Sequence, residues 1–129
     1  MQDLIIERTK STPSIQFQAD AGYLKIVGES YPENVAKFYA PVLDWLRSYL
    51  EQAAAETTVE FRVTYFNSSS SKLFMTIFDL LEQGVVKGNA ISVRWVCDED
   101  NDIAIECGEE FKEELSRLPF TIEIDGTQE

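Results

Sequence analysis

The residues best equipped for chemistry stand together at 67–72, where Asn67 is followed by Ser68, Ser69, Ser70, Ser71 and Lys72. The stretch falls where an alternating strand pattern gives way to a helical one. At such a junction the first N–H groups of the helix are free and its dipole favours negative charge, so a hydroxyl there is well placed to carry or hold a phosphate. Three readings remain open. Asn and Ser cap helices and fill turns. A serine in an exposed loop can accept a phosphoryl group and gain about −1.5 to −2 charges. A nucleotide cradle fits least, because the glycines and the Gly-Lys-Ser/Thr ending of a phosphate-binding loop are missing and Lys72 is a lone cation. A second constellation is Asp98, Asp100 and Asp102 with Glu109 at the twelfth place, the carboxylate spacing of a calcium loop. Its sixth place is Ile103 where a glycine is needed, and the preceding element reads as a strand, so a solvated acidic turn is the competing reading.

Other chemistry is removed by composition. The 129 residues contain no histidine, which eliminates Ser-His-Asp and Cys-His nucleophile activation and every His-ligated metal site. Cys97 and Cys107 are ten apart, without the CxxC spacing of a zinc knuckle or a redox pair, and read as reduced, half-buried thiols. No catalytic residue, cofactor site or metal-ligand set is assigned. A small histidine-free enzyme working with Asp and Ser would require a pocket holding a perturbed carboxylate. Eleven basic against 23 acidic residues give a net charge of −12, so a nucleic-acid backbone would be repelled. Residues 98–129 hold 12 of the acidic groups and two of the basic ones, so the C-terminal quarter carries most of the charge, and its acidic helix reads as a soluble outer face ahead of the alternative, a second surface for a basic partner. No secretory leader or membrane-spanning run is visible, which points to a cytoplasmic protein with no membrane partner.

The elements that must position these residues follow from hydrophobic periodicity. Residues 14–19 and 23–28, joined by Asp20-Ala21-Gly22, read as an N-terminal β-hairpin. Ser30 to Asn34 opens a helix with Pro32 in its first turn, and an apolar stripe from Val35 to Leu50 continues it, with a kink or restart expected at Pro41. Thr57 to Phe66 alternates as a strand that puts Val59, Phe61, Val63 and Tyr65 on one face. A second helix follows from Lys72 and ends at Gly84 or Gly88. Ile91 to Val96 is a strand, a third helix carries Ala104, Cys107, Phe111, Leu115 and Leu118 until Pro119 stops it, and Phe120 to Ile124 reads as an edge strand. The expected fold is one α/β domain over residues 1–129, with a mixed sheet of four to five strands, an N-terminal hairpin and about three main helices; the last residues are expected to fray.

Three stretches carry a resemblance: Ser30-Tyr31-Pro32-Glu33-Asn34 with Phe38-Tyr39-Ala40-Pro41 and Trp45-Leu46; Tyr65-Phe66-Asn67 with the serines and Lys72; and Glu106-Cys107-Gly108-Glu109-Glu110-Phe111 leading to Pro119-Phe120. Together, over about Pro13 to Ile124, they resemble the SiaC family of bacterial regulatory phosphoproteins, similar in fold to anti-sigma-factor antagonists (STAS-like domains). The resemblance implies a non-enzymatic switch. A protein kinase phosphorylates the residue after the asparagine, a PP2C-like phosphatase reverses this, and the unphosphorylated form binds and activates a diguanylate cyclase, raising cyclic di-GMP and promoting aggregation or biofilm growth. That position is Ser68, where serine keeps a threonine's hydroxyl and drops its methyl. Asn67, Ser69, Ser70, Ser71 and Lys72 form the rest of the switch loop. An anti-sigma-factor-antagonist type of partner switch acting on another target is the alternative.

Overall fold

The computed structural model describes residues 1–52 and 56–126. Six strands, β1 (Leu4–Ile6), β2 (Ser14–Gln18), β3 (Tyr23–Ser30), β4 (Thr57–Phe66), β5 (Ile91–Asp98) and β6 (Phe120–Asp125), form one sheet in chain order. Between them run α1 (Val35–Gln52), α2 (Ser68–Val86) and α3 (Asp102–Glu114). β1, β2 and β3 are antiparallel, whereas β3 to β6 are parallel and connected by the helices. The α/β class, the hairpin and the three helices agree with the sequence. The expected four to five strands become six because β1, only three residues long with Ile5 exposed, is too short to display an alternation. The C-terminal residues expected to fray, 127–129, lie outside the described residues.

Each parallel crossover steps one strand in the same direction, so a common right-handedness puts all three helices on one face of the sheet. That face is apolar: Ile15, Phe17, Leu24, Ile26, Val59, Phe61, Val93 and Trp95 are buried. The indole of Trp95 stacks near Phe61 at 5.6 Å, meets Phe111 edge-on at 5.3 Å and donates its N–H to the Ala104 carbonyl at 2.9 Å. Gly108 is required for that contact, since a Cβ there would lie 2.5 Å from the ring. On the opposite face the parallel ladder sets polar residues side by side. Glu60, 3% exposed, accepts from the Tyr23 hydroxyl, from Arg62 Nε and from Arg94 Nη1 at 3.1 Å, while Arg94 forks onto Glu123 at 2.7 and 2.8 Å.

Local boundaries correct several expectations. The first helix opens at Val35, not within 30–34: Asn34 is its cap, its Oδ1 accepting the Lys37 N–H at 3.0 Å, and Pro32 and Glu33 lie ahead of it. α1 runs through Pro41 as one element without a restart, with Pro41 and Lys37 both on its exposed side. Gly84 sits inside α2, where a Cβ would press on Ile91 and Leu50; Gly88, at φ +107°, follows the helix end. α3 stops at Glu114, ahead of Leu118 and Pro119, and Glu82 holds the next turn by accepting the N–H groups of Ser116, Arg117 and Leu118 at 2.8, 2.6 and 3.1 Å. In β4 the face assignment of Tyr65 is overturned. Gly28 pairs with Val63 but Glu29 with Tyr65, so Thr64 is an inserted residue. This bulge turns Tyr65 outward, 53% exposed, and swings Phe66 inward against Phe74 at 5.4 Å.

Candidate functional site

Parallel strands deliver their carboxyl ends to one rim of the sheet, the usual place for function in open α/β folds. Here the rim holds the segments after β3, β4 and β5, and hydrogen bonds tie them together. Tyr31 donates its N–H to the Ser11 carbonyl at 2.8 Å, and its ring meets Tyr65 edge-on at 5.5 Å. Asn101 caps α3 through Ala104 N–H at 3.2 Å and reaches across to donate to the Thr64 carbonyl at 2.9 Å.

Asn67 to Lys72 lies at the centre of this rim. Asn67 is the cap of α2: its Oδ1 accepts the Ser70 N–H at 2.9 Å and its carbonyl the Ser71 N–H at 3.0 Å. The expected loop ahead of a helix from Lys72 is therefore corrected: with Asn67 as cap, Ser68 to Lys72 are the opening residues of α2 itself, and the helical rotation separates four chemically equal serines. Ser68 and Ser69 are exposed, Ser71 is half-buried, Lys72 is exposed and Ser70 has no exposed surface. The Ser70 hydroxyl donates to the Ser30 carbonyl at 2.9 Å and lies 2.7 Å from Ser30 Oγ, which is itself 2.7 Å from the Tyr39 hydroxyl. Asn67 N–H also donates to the Ser30 carbonyl, at 3.1 Å. Burial drives the Tyr39 phenol far above its ordinary range, so it stays a neutral donor, opposed only in part by its bond to Ser30.

The serine run is legible in the sequence, whereas its buried anchor is not. The available signal was Ser30 itself, which occupies the inward parity of β3 after Leu24, Ile26 and Gly28, where an apolar side chain would otherwise stand.

The calcium-like spacing does not become a site. Asp98 Oδ1 is taken by the N–H of Asp100 at 3.1 Å, Asp102 and Glu109 lie on α3, and among the described residues no group of three acidic, Cys or His side chains is arranged to hold a metal ion. The carboxylates with perturbed acidity serve as structural acceptors. Glu60 is held below the usual range by bonds from Tyr23 and Arg62 that outweigh burial, Glu82 by backbone N–H groups led by Arg117, and Glu123 by Arg94. None of these three lines the 570 Å³ groove between the C-terminal ends of α1 and α2, beside Arg47, Leu50 and Lys87; Glu82 borders a 410 Å³ hollow beside Val86, and Glu123 a 260 Å³ one where Arg94 engages its carboxylate. Burial pushes the Cys97 thiol up to about 11 and raises that of Cys107 too; both cysteines are free. Among the described residues no helix is long and apolar enough to cross a membrane.

The site is thus the rim of a mixed-sheet α/β domain, with two exposed serines beside a buried hydroxyl anchor. Residues 6–124 match the family of SiaC family regulatory phosphoproteins, and the chain belongs to that family. An uncharacterised protein of Pseudomonas aeruginosa (strain UCBPP-PA14) is 41% identical over 123 residues, 95% of this chain and 97% of its own. The solved structure of SiaC of Pseudomonas aeruginosa superposes with a TM-score of 0.89 at 39% identity, covering 97% of this chain and all of the other. SiaC in the crystal structure of the diguanylate cyclase SiaD in complex with its activator SiaC, also from Pseudomonas aeruginosa, gives 0.90 at 40% identity over 95% of this chain and 100% of that one.

Proposed function

We propose that this chain is a phosphorylation-switched activator of a diguanylate cyclase, acting in the cytoplasm. The unphosphorylated form docks through the rim around Ser68 and raises cyclic di-GMP output; phosphate on Ser68 releases the cyclase, and a PP2C-like phosphatase restores binding. The observation that carries the reading is the position of Ser68: exposed, in the first turn of α2, on a rim whose neighbours are fixed. The SiaC that activates SiaD is 40% identical over nearly the whole chain and supplies the class of partner. A phosphate at Ser68 would sit at the positive end of α2, so the fold tolerates it. The new dianion acts instead on the partner, through desolvation and like-charge repulsion. The protein is then a regulator and performs no catalysis itself.

The test is to purify the protein from its native cells, map phosphate by intact mass and peptide analysis, and assay a SiaD-type cyclase with wild type, Ser68→Ala and Ser68→Asp. Phosphate on Ser68, activation by Ser68→Ala and a loss of about tenfold or more in activation by Ser68→Asp are expected. Equal activation by the Ala and Asp variants would overturn the switch.

A further inference from the structure

The serine run poses a selection problem that chemistry alone does not solve. Ser68, Ser69, Ser70 and Ser71 have identical side chains in adjacent positions, so a one-residue slip of the turn would present a different hydroxyl to solvent. Asn67 as cap fixes the register only in part, because a serine is almost as good a cap.

The stronger constraint lies beneath the run. Ser70's hydroxyl donates to the Ser30 carbonyl, so its oxygen is left to accept from Ser30 Oγ, and Ser30 Oγ in turn accepts from the protonated Tyr39 phenol. The result is a directed chain in which Tyr39 donates to Ser30, Ser30 to Ser70, and Ser70 back to the Ser30 backbone, with all three residues fully buried. The Ser30 carbonyl accepts from Asn67 N–H as well. A single residue at the end of β3 therefore grips both the cap and the third residue of the turn. In the register that the Asn67 cap and the buried Phe74, Ile77 and Phe78 set for α2, Ser70 is the residue that faces Ser30 and Tyr39, and turning it outward would leave both with unmet hydrogen-bonding capacity in the core. Phosphorylation of Ser70 itself would break these bonds and bury a dianion.

We infer that Ser30, Tyr39 and Ser70 are positioning residues that restrict phosphorylation to the outer end of the run, by locking Ser70 inward and so holding Ser68 and Ser69 outward while Ser70 and Ser71 are withheld. This inference rests on the switch reading above. It extends that reading by assigning acceptor choice to a buried cluster that no kinase touches.

The experiment maps phosphate by peptide analysis in protein from native cells, for wild type, Ser30→Ala, Ser70→Ala and Glu82→Ala. Glu82→Ala frees the turn at residues 116–118 from α2, far from the serine run, and serves as the control for lost stability; thermal unfolding followed by circular dichroism confirms that each variant is folded. The ratio of phosphate on residues 70 and 71 in Ser30→Ala, and on residue 71 in Ser70→Ala, to that on Ser68 is expected to rise about tenfold, the scale on which a lost buried hydrogen bond shifts an equilibrium, with no rise in Glu82→Ala. Phosphate still absent from residues 70 and 71 in both folded serine variants would overturn the inference and leave the switch intact. An equal rise in Glu82→Ala would reduce the cluster to general stability and also overturn it. Wild type without phosphate anywhere in the run would defeat the switch reading and this inference with it.

Discussion

Two buried polar networks hold this molecule together, and they are built from opposite materials. Beneath the serine turn, Ser30, Tyr39 and Ser70 are all neutral and pass one another hydroxyl hydrogen bonds. On the sheet face away from the helices, Glu60 is buried among Tyr23, Arg62 and Arg94, with Glu123 and Asp125 completing the ionic chain. Both satisfy their polar atoms. The difference is that buried charge is kept off the end of the domain where a dianion is proposed to arrive. A phosphate on Ser68 then meets helix N–H groups and water, and no resident buried carboxylate opposes it.

The sharpest way to break this comparison is to remove the ionic centre. Glu60→Ala leaves the Tyr23 hydroxyl and two guanidinium groups without their shared acceptor, although Arg62 keeps Asp125 and Arg94 keeps Glu123. Breaking a buried pair outright costs about 3–5 kcal/mol; with these remaining partners and arginines more than a third exposed, a loss of about 2 kcal/mol is expected. Urea denaturation measures it. A loss under about 0.5 kcal/mol would mean that the ionic face is ornamental.

Much of this arrangement was legible in the sequence, and the part that was not shares a cause. Helices and strands with long apolar stripes were found because burial imposes a period, and the serines stood out as a run of one residue type. Ser30, Tyr39 and Glu60 were missed as site or network residues because their roles depend on partners up to 40 positions away, which neither period nor motif encodes. Tyr65 was put on the wrong face because a single inserted residue, Thr64, reverses the parity of everything after it. β1 escaped because three residues show no alternation.

Acidity separates the two networks next. Glu60, Glu82 and Glu123 are all held below their ordinary value of 4.5 in the fold, so each contributes stability that is complete above that value and is lost as pH falls through the lower folded value. The hydroxyl cluster has no group titrating there. Its one shifted member, Tyr39, is raised from 10, so its contribution is present below pH 10 and fades only as pH rises beyond it. The deficit of Ser70→Ala relative to wild type should therefore be constant from pH 7 down through 4, while that of Glu60→Ala should shrink below about pH 4.5. Parallel pH dependence of the two variants would contradict the division into neutral and ionic networks.

The smallest expected effect is the most telling for function. Ser68 makes no side-chain hydrogen bond, is exposed, and sits in a turn whose cap is Asn67 and whose buried grip is Ser70, so the fold does not use its hydroxyl. Ser68→Ala should change unfolding free energy by less than about 0.5 kcal/mol, as is usual for surface positions away from special features. Ser70→Ala, two residues on, removes a donor to the Ser30 carbonyl and leaves Ser30 Oγ short of a partner in the core, for about 1–2 kcal/mol. Parallel melts of the two variants measure the contrast directly. If Ser68→Ala proved as costly as Ser70→Ala, the outer hydroxyl would be part of the scaffold, and the separation between a residue free to be modified and one that fixes its position would collapse.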